Sequence, residues 1–210
     1  MPSSPRCEVL FSVCAEAIKA ASSRTRFVLP APLGVDSVTG LYVLESDIFA
    51  GVDFDPASVR RGYIALPRDL RQIPYLPVKD GAVESFSQAI ARSFSEQALK
   101  YLPEFESLPY GSYIRRKEFD TLSAGRLLSG STDLRVLAHK IVLVGGNWSR
   151  FAYGLGGETD SYFTPIGFVP GVFIHANYAE ALLDSRTYSP LGERVQLGLE
   201  IRLSRIHCTV

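Results

Sequence analysis

Apolar side chains at Cys7, Leu10, Phe11, Cys14, Ala17, Ile18 and Ala21 recur at helical spacing, with Glu16 and Lys19 off the stripe. That period predicts an amphipathic helix over residues 7–22, its stripe turned inward with Cys7 and Cys14 as small buried hydrophobes. Phe27-Val28-Leu29, ended by Pro30, predicts a short buried strand. From Ala31 to Val59, Gly34, Gly40 and Gly51 divide short apolar pieces such as Leu41 to Leu44, a mixture of strands and loops. Gly62 to Leu66 reads as a strand closed by Pro67-Arg68-Asp69, and Pro74 and Pro77 keep the next stretch extended. Val83, Phe86, Ile90 and Phe94 predict a helix from about 82 to 100.

Tyr110 to Ile114 predicts a strand with a solvated exit at Arg115-Arg116-Lys117, and Leu122 to Leu128 a short helix stopped by Gly130. Ile141 to Val144 has no alternation, which predicts a strand covered on both faces, as in a parallel sheet. Gly145-Gly146 ends it, and the glycines and prolines at 154, 156, 157, 165, 167 and 170 predict a long loop over 145–171. Its aromatic residues, among them Trp148, Phe151, Tyr153, Phe163 and Phe168, argue against disorder. Val172 to Ile174 then reads as strand, and Ala176, Ala179, Leu182 and Leu183 as the helix after it. Strand, excursion, strand and helix is an α/β rhythm, so the expected fold is a single α/β domain with a mainly parallel central sheet flanked by helices.

Composition narrows what this fold can do. In 210 residues, 22 basic side chains balance 22 acidic ones, and 46% are apolar. With no basic excess to neutralise phosphates, nucleic acid is an unlikely partner class. Three cysteines are too few, and odd in number, for a disulfide scaffold. Cys7 and Cys14 on one helix stand roughly 10 Å apart along its axis, beyond bridging distance. The first thirty residues lack a secretory signal pattern, and no apolar run approaches bilayer length.

Candidate chemistry gathers near the predicted carboxyl edge of the sheet, where open α/β folds bind ligands. Gly145-Gly146-Asn147 could bring bare backbone to an anion or form a tight turn, but neither GxGxxG nor a lysine-bearing phosphate loop is present. Asp160, Thr164 and His175 could form a hydrolytic site, although no HExxH or nucleophile elbow accompanies them and Ser149 and Ser161 lie outside any G-x-S-x-G. The structural alternative has Asp160 bracing the long loop and His175, with Asn177, holding a helix start. Trp148 could line a pocket or anchor its loop, and Asn147-Trp148-Ser149 matches a glycosylation sequon. Arg68 and Asp69, with Arg71, could rim a pocket or form an exposed ion-paired turn. His139 and His207 suggest no ligand cluster, and neither metal nor cofactor is expected.

Four blocks carry a resemblance: Gly62 to Pro74, Lys140 to Gly145, Asp160 with Thr164-Pro165, and Pro170 to Asn177. Their order and spacing resemble the second type of CHASE domain, over about residues 15–192. That family is an extracytoplasmic sensory module of bacterial receptors, found ahead of histidine kinases, nucleotide cyclases and Ser/Thr kinases. The resemblance implies a non-catalytic, ligand-binding input, tethered by membrane helices and dimeric in the full-length protein, with a small-molecule or envelope signal. The family's recurring positions fall on Asp69, Arg71, Pro74, Lys140, Gly145, Asp160, Thr164, Pro165, Gly171, His175, Ala176 and Asn177. The family loop after the second block commonly reads Gly-Ala-Thr, whereas here it is Gly145-Gly146-Asn147-Trp148. Members usually open with a further strand-helix-strand unit and continue into membrane helices, so a fragment is expected. An extracytoplasmic hydrolase using Asp160 and His175, and a structural oligomerisation module, are the rival readings.

Overall fold

The structure is a computed structural model, and it describes residues 5–35, 38, 42–44, 49, 52–74, 84–95, 110–114, 118–146 and 160–188. Its centre is helix α4, Gly171–Leu183, in which nine of thirteen residues are buried. A helix apolar on nearly every side needs neighbours on every side. Phe173, Ile174, Tyr178, Ala181 and Leu182 form one core with Ile73, Ala91 and Val169. The helix absorbs Val172 to Ile174, expected as a strand, because a short apolar run bounded by Pro and Gly does not distinguish a strand from a buried first turn. At its far end Ser185 takes a left-handed φ of 54°. The Arg186 amide donates to Ala181 O at 2.8 Å, closing a Schellman-type cap.

Helix α1, Pro5–Ser22, precedes strand β1, Phe27–Ala31. Two short strands, β2 at Leu33–Val35 and β3 at Tyr42–Leu44, form an antiparallel pair before β4, Val59–Tyr63, returns parallel to β1. Ala15, Leu29, Phe49 and Val59 make a second core under α1. Cys14 is exposed, and of the described α1 side chains Ala15 and Ile18 meet this core, so the inward face is rotated away from Cys14. The side chain of Cys7 lies outside the described residues.

Helix α2, Phe86–Phe94, is shorter than its apolar spacing suggests, because Ser95 is extended. Ser85 and Gln88 build a reciprocal capping box at its start. Gly62 of β4 admits this helix: a Cβ there would stand 2.5 Å from the Phe86 Cα. Backbone contact that close requires glycine. On its other side α2 packs against α4.

Inside the stretch expected as one long loop, β6 (Ser161–Thr164) and β7 (Gly167–Pro170) form an antiparallel hairpin. Gly167, at φ 103°, takes the turn conformation closed to most side chains. Strand β5, Tyr110–Gly111, pairs antiparallel with β8, Thr187–Tyr188. The described strands therefore form one parallel pair and three antiparallel pairs, a mixed α/β arrangement, and among the described residues they do not assemble into a mainly parallel central sheet.

Residues 118–146 hold the expected short helix but not the strand expected at 141–144. Helix α3, Ala124–Leu128, ends at Gly130 with φ 71°, and a 3-10 turn follows at Leu134–Leu137. Ile141 to Val144 joins no ladder among the described residues, and Val144 is 91% exposed. Local apolarity alone was the basis for placing that run in a covered strand, and burial requires a partner face as well. Among the described residues, no helix is long and apolar enough to cross a membrane.

Candidate functional site

Two polar constellations flank α4. The first gathers four family-block positions, Gly145, Asp160, Gly171 and His175. Asp160 precedes β6, and its main-chain carbonyl accepts the Gly171 amide at 2.9 Å, satisfying one of the unpaired donors at the start of α4. A Cβ on Gly171 would lie 2.6 Å from both Asp160 carboxylate oxygens, so glycine lets the carboxylate press against the helix. Gly145 lies against the same turn, since its Cβ would meet Val172 at 2.7 Å.

His175 sits one turn further along α4, not at a strand-to-helix junction as expected, and is 8% exposed. Phe86 and Tyr178 meet its ring edge to face, at centroid distances of 5.4 and 6.5 Å. The Ser87 hydroxyl lies 3.4 Å from Nδ1 and 3.4 Å from the His175 carbonyl oxygen. Burial lowers the imidazole pKa to about 4, against the opposing pull of the Asp160 charge and a hydrogen bond with the Ile64 main chain. The ring is therefore neutral at physiological pH.

Asn177, on the adjoining face of α4, is a brace. Its Oδ1 accepts the Ile114 amide at 2.6 Å, and its Nδ2 donates to Phe173 O at 2.9 Å. Thr164 is likewise internal to its hairpin: its hydroxyl donates to Gly167 O at 2.8 Å and accepts the Ile166 amide at 3.3 Å.

The second constellation lies at the other flank. Asp69 takes a two-pronged hydrogen bond from Arg71, Nε to Oδ1 at 3.0 Å and Nη2 to Oδ2 at 2.8 Å. That guanidinium holds the Asp69 carboxyl below its usual range. The neighbouring Leu70 carbonyl accepts hydroxyls from Tyr113 at 2.5 Å and Tyr178 at 2.6 Å. Burial raises both phenols, so they remain neutral donors. Beside them opens a cleft of about 330 Å³ lined by Arg71, Gly111, Tyr113, Pro165 and Ile166. The hairpin turn supplies one wall and the segments around β5 and Asp69 the other.

The residues singled out in the sequence are thus divided. Asp160, Gly145 and His175 gather at the start of α4, while Asp69 is ion-paired with Arg71, which lines the cleft; Arg68 is an exposed turn residue. Gly146 follows Gly145 and is half-buried, and Asn147 and Trp148 lie outside the described residues. Missed in the sequence were Ser87, Tyr113 and Tyr178. The capping pattern Ser85-Phe86-Ser87-Gln88 was a signal for the first of these; nothing local marked the tyrosines.

A family model described as CHASE2 domain matches residues 14–202. No curated protein and no solved structure matches the chain.

Proposed function

The chain belongs to the CHASE2 family of extracytoplasmic sensory domains, and from that membership we propose that it is the ligand-binding input domain of a bacterial transmembrane signalling receptor. The match across residues 14–202 carries this reading. In the full receptor a dimeric, membrane-anchored arrangement relays the state of this domain to a histidine kinase, nucleotide cyclase or Ser/Thr kinase output.

The cleft beside Tyr113 is the candidate ligand site. It combines apolar walls from Pro165 and Ile166 with the charged Arg71, held by its ion pair with Asp69, the mixture that orients small molecules. A hydrolase that paired His175 with Ser87 as its nucleophile meets a physical obstacle. Ser87, the hydroxyl facing His175, is 0% exposed, and the imidazole is enclosed by Phe86 and Tyr178. A nucleophile must reach its substrate, and a hydroxyl sealed between two helices does not.

Thermal unfolding across a panel of small metabolites and ions tests the proposal. A ligand at a hundred times its dissociation constant stabilises the folded state by about 2.7 kcal/mol. The account expects at least one compound to raise the melting temperature, and Tyr113→Ala to abolish that rise. A melting temperature unchanged across the panel contradicts small-molecule sensing.

A further inference from the structure

His175 lies where burial opposes a positive charge more strongly than the Asp160 field and the Ile64 main chain support it. Its ring packs on the first turn of α2, since Phe86 and Ser87 are the first two residues after the Ser85 cap. The amino end of a helix carries partial positive charge, which opposes a cation placed against it. The groups around the ring are the Ser87 hydroxyl and Phe86 from α2, the Ile64 main chain after β4, and Tyr178 from α4 itself. Of the charged groups among the described residues, Asp160 is the one whose field acts on the ring.

Charging the ring disturbs this joint in a defined way. An imidazolium donates from both nitrogens. Its Nδ1 proton would have Ser87 Oγ, at 3.4 Å, as its acceptor, near the outer limit for a hydrogen bond. Asp160 offers the better partner. Its carboxylate rests against Gly171, one helical turn before His175, and side chains on a helix lean toward its amino end. Protonation would therefore favour carrying the ring from its buried position outward toward Asp160.

We infer that His175 is a proton-operated latch: neutral, it closes the joint between α2 and α4, and protonated, it turns toward Asp160 and releases the capped end of α2. Its ligand is the hydrated proton. The signalling role rests on the extracytoplasmic reading, because a compartment outside the cytoplasmic membrane follows the acidity of its surroundings. The latch itself is a property of the fold.

The sign follows from the ring's pKa, lowered from 6.5 to about 4 in the closed state. The closed state's advantage is complete above about pH 6.5, is lost progressively as pH falls toward about 4, and changes no further below that. The population of the opened joint rises over this window on the order of a hundredfold.

Amide hydrogen exchange on the chain, corrected for intrinsic rates, reads this at Ala89, Ile90 and Ala91 of α2. Protection there is expected to fall on the order of a hundredfold between pH 7 and pH 4. His175→Gln, neutral at every pH, is expected to flatten the profile. Asp160→Asn, which leaves the imidazole in place, is expected to move the loss of protection to lower pH. A flat profile in the native chain overturns the latch, and so does an unchanged profile in both variants. Neither result bears on which side of a membrane the domain lies, so the latch and the sensory placement fail separately.

Discussion

The joint between α2 and α4 and the stretch from Thr121 to Gly146 are both rich in apolar residues, yet they are built in opposite ways. At the joint, Ile174, Ala181, Leu182 and Ala91 are essentially inaccessible, and Ser85, Ser87, Gln88 and Asn177 are buried with hydrogen-bond partners. In the other stretch, Leu128 is 89% and Val144 91% exposed. Its ion pairs, Arg135 with Asp133 and Lys140 with Asp120, are solvated. Apolar character becomes stability only where backbone geometry brings up a second face. The joint has that second face because Gly62 lets α2 approach and the Ser85 cap completes its hydrogen bonds.

Substitutions break or sharpen this contrast. Ile174→Ala removes a fully buried side chain and is expected to cost about 2–5 kcal/mol in urea unfolding. A cost near zero would mean that α4 is not the core. Gly62→Ala drives a methyl group into the Phe86 backbone and is expected to destabilise by about 2–3 kcal/mol, with lost amide protection concentrated in α2. Asn177→Ala strips the Ile114 amide of its acceptor and the Phe173 carbonyl of a donor, an expected loss of about 2 kcal/mol by the same unfolding measurement. At the far end of the scale, Leu128→Ala and Val144→Ala should each change stability by no more than about 0.5 kcal/mol. A loss of several kcal/mol at Val144 would show that this stretch is covered and would erase the contrast.

Elements whose signals are local were legible in the sequence. Helical spacing over residues 7–22 marked α1, and Gly130 marked the end of α3. Strand β4 was found three residues late, because pairing with β1 runs from Val59 to Tyr63 and most of the apolar run, Ile64 to Leu66, lies beyond the ladder. The hairpin at Ser161–Pro170 was hidden within the glycine and proline punctuation of its surroundings, although Tyr162, Phe163, Phe168 and Val169, which pair across it, are residue types enriched in strands. Of the site, Asp160 and His175 were named from their blocks, and the field of one acts on the other. Ser87 reaches His175 across 88 residues of sequence, and Tyr178 reaches the Leu70 carbonyl across 108. Contacts at such separations are set by packing and leave no local pattern to read. Cys14 shows the converse: placed inward by its period, it is exposed, because period fixes the faces of a helix but not which of them meets a neighbour.

The central claim, that this is an extracytoplasmic sensory domain, is tested most directly by the exposed thiol of Cys14 on α1. A receptor carrying Cys14 as its sole cysteine is treated in intact cells with a membrane-impermeant maleimide and compared with the same cells after lysis. The account predicts equal labelling before and after lysis. Labelling that appears only after lysis would place the domain inside the cell and contradict it.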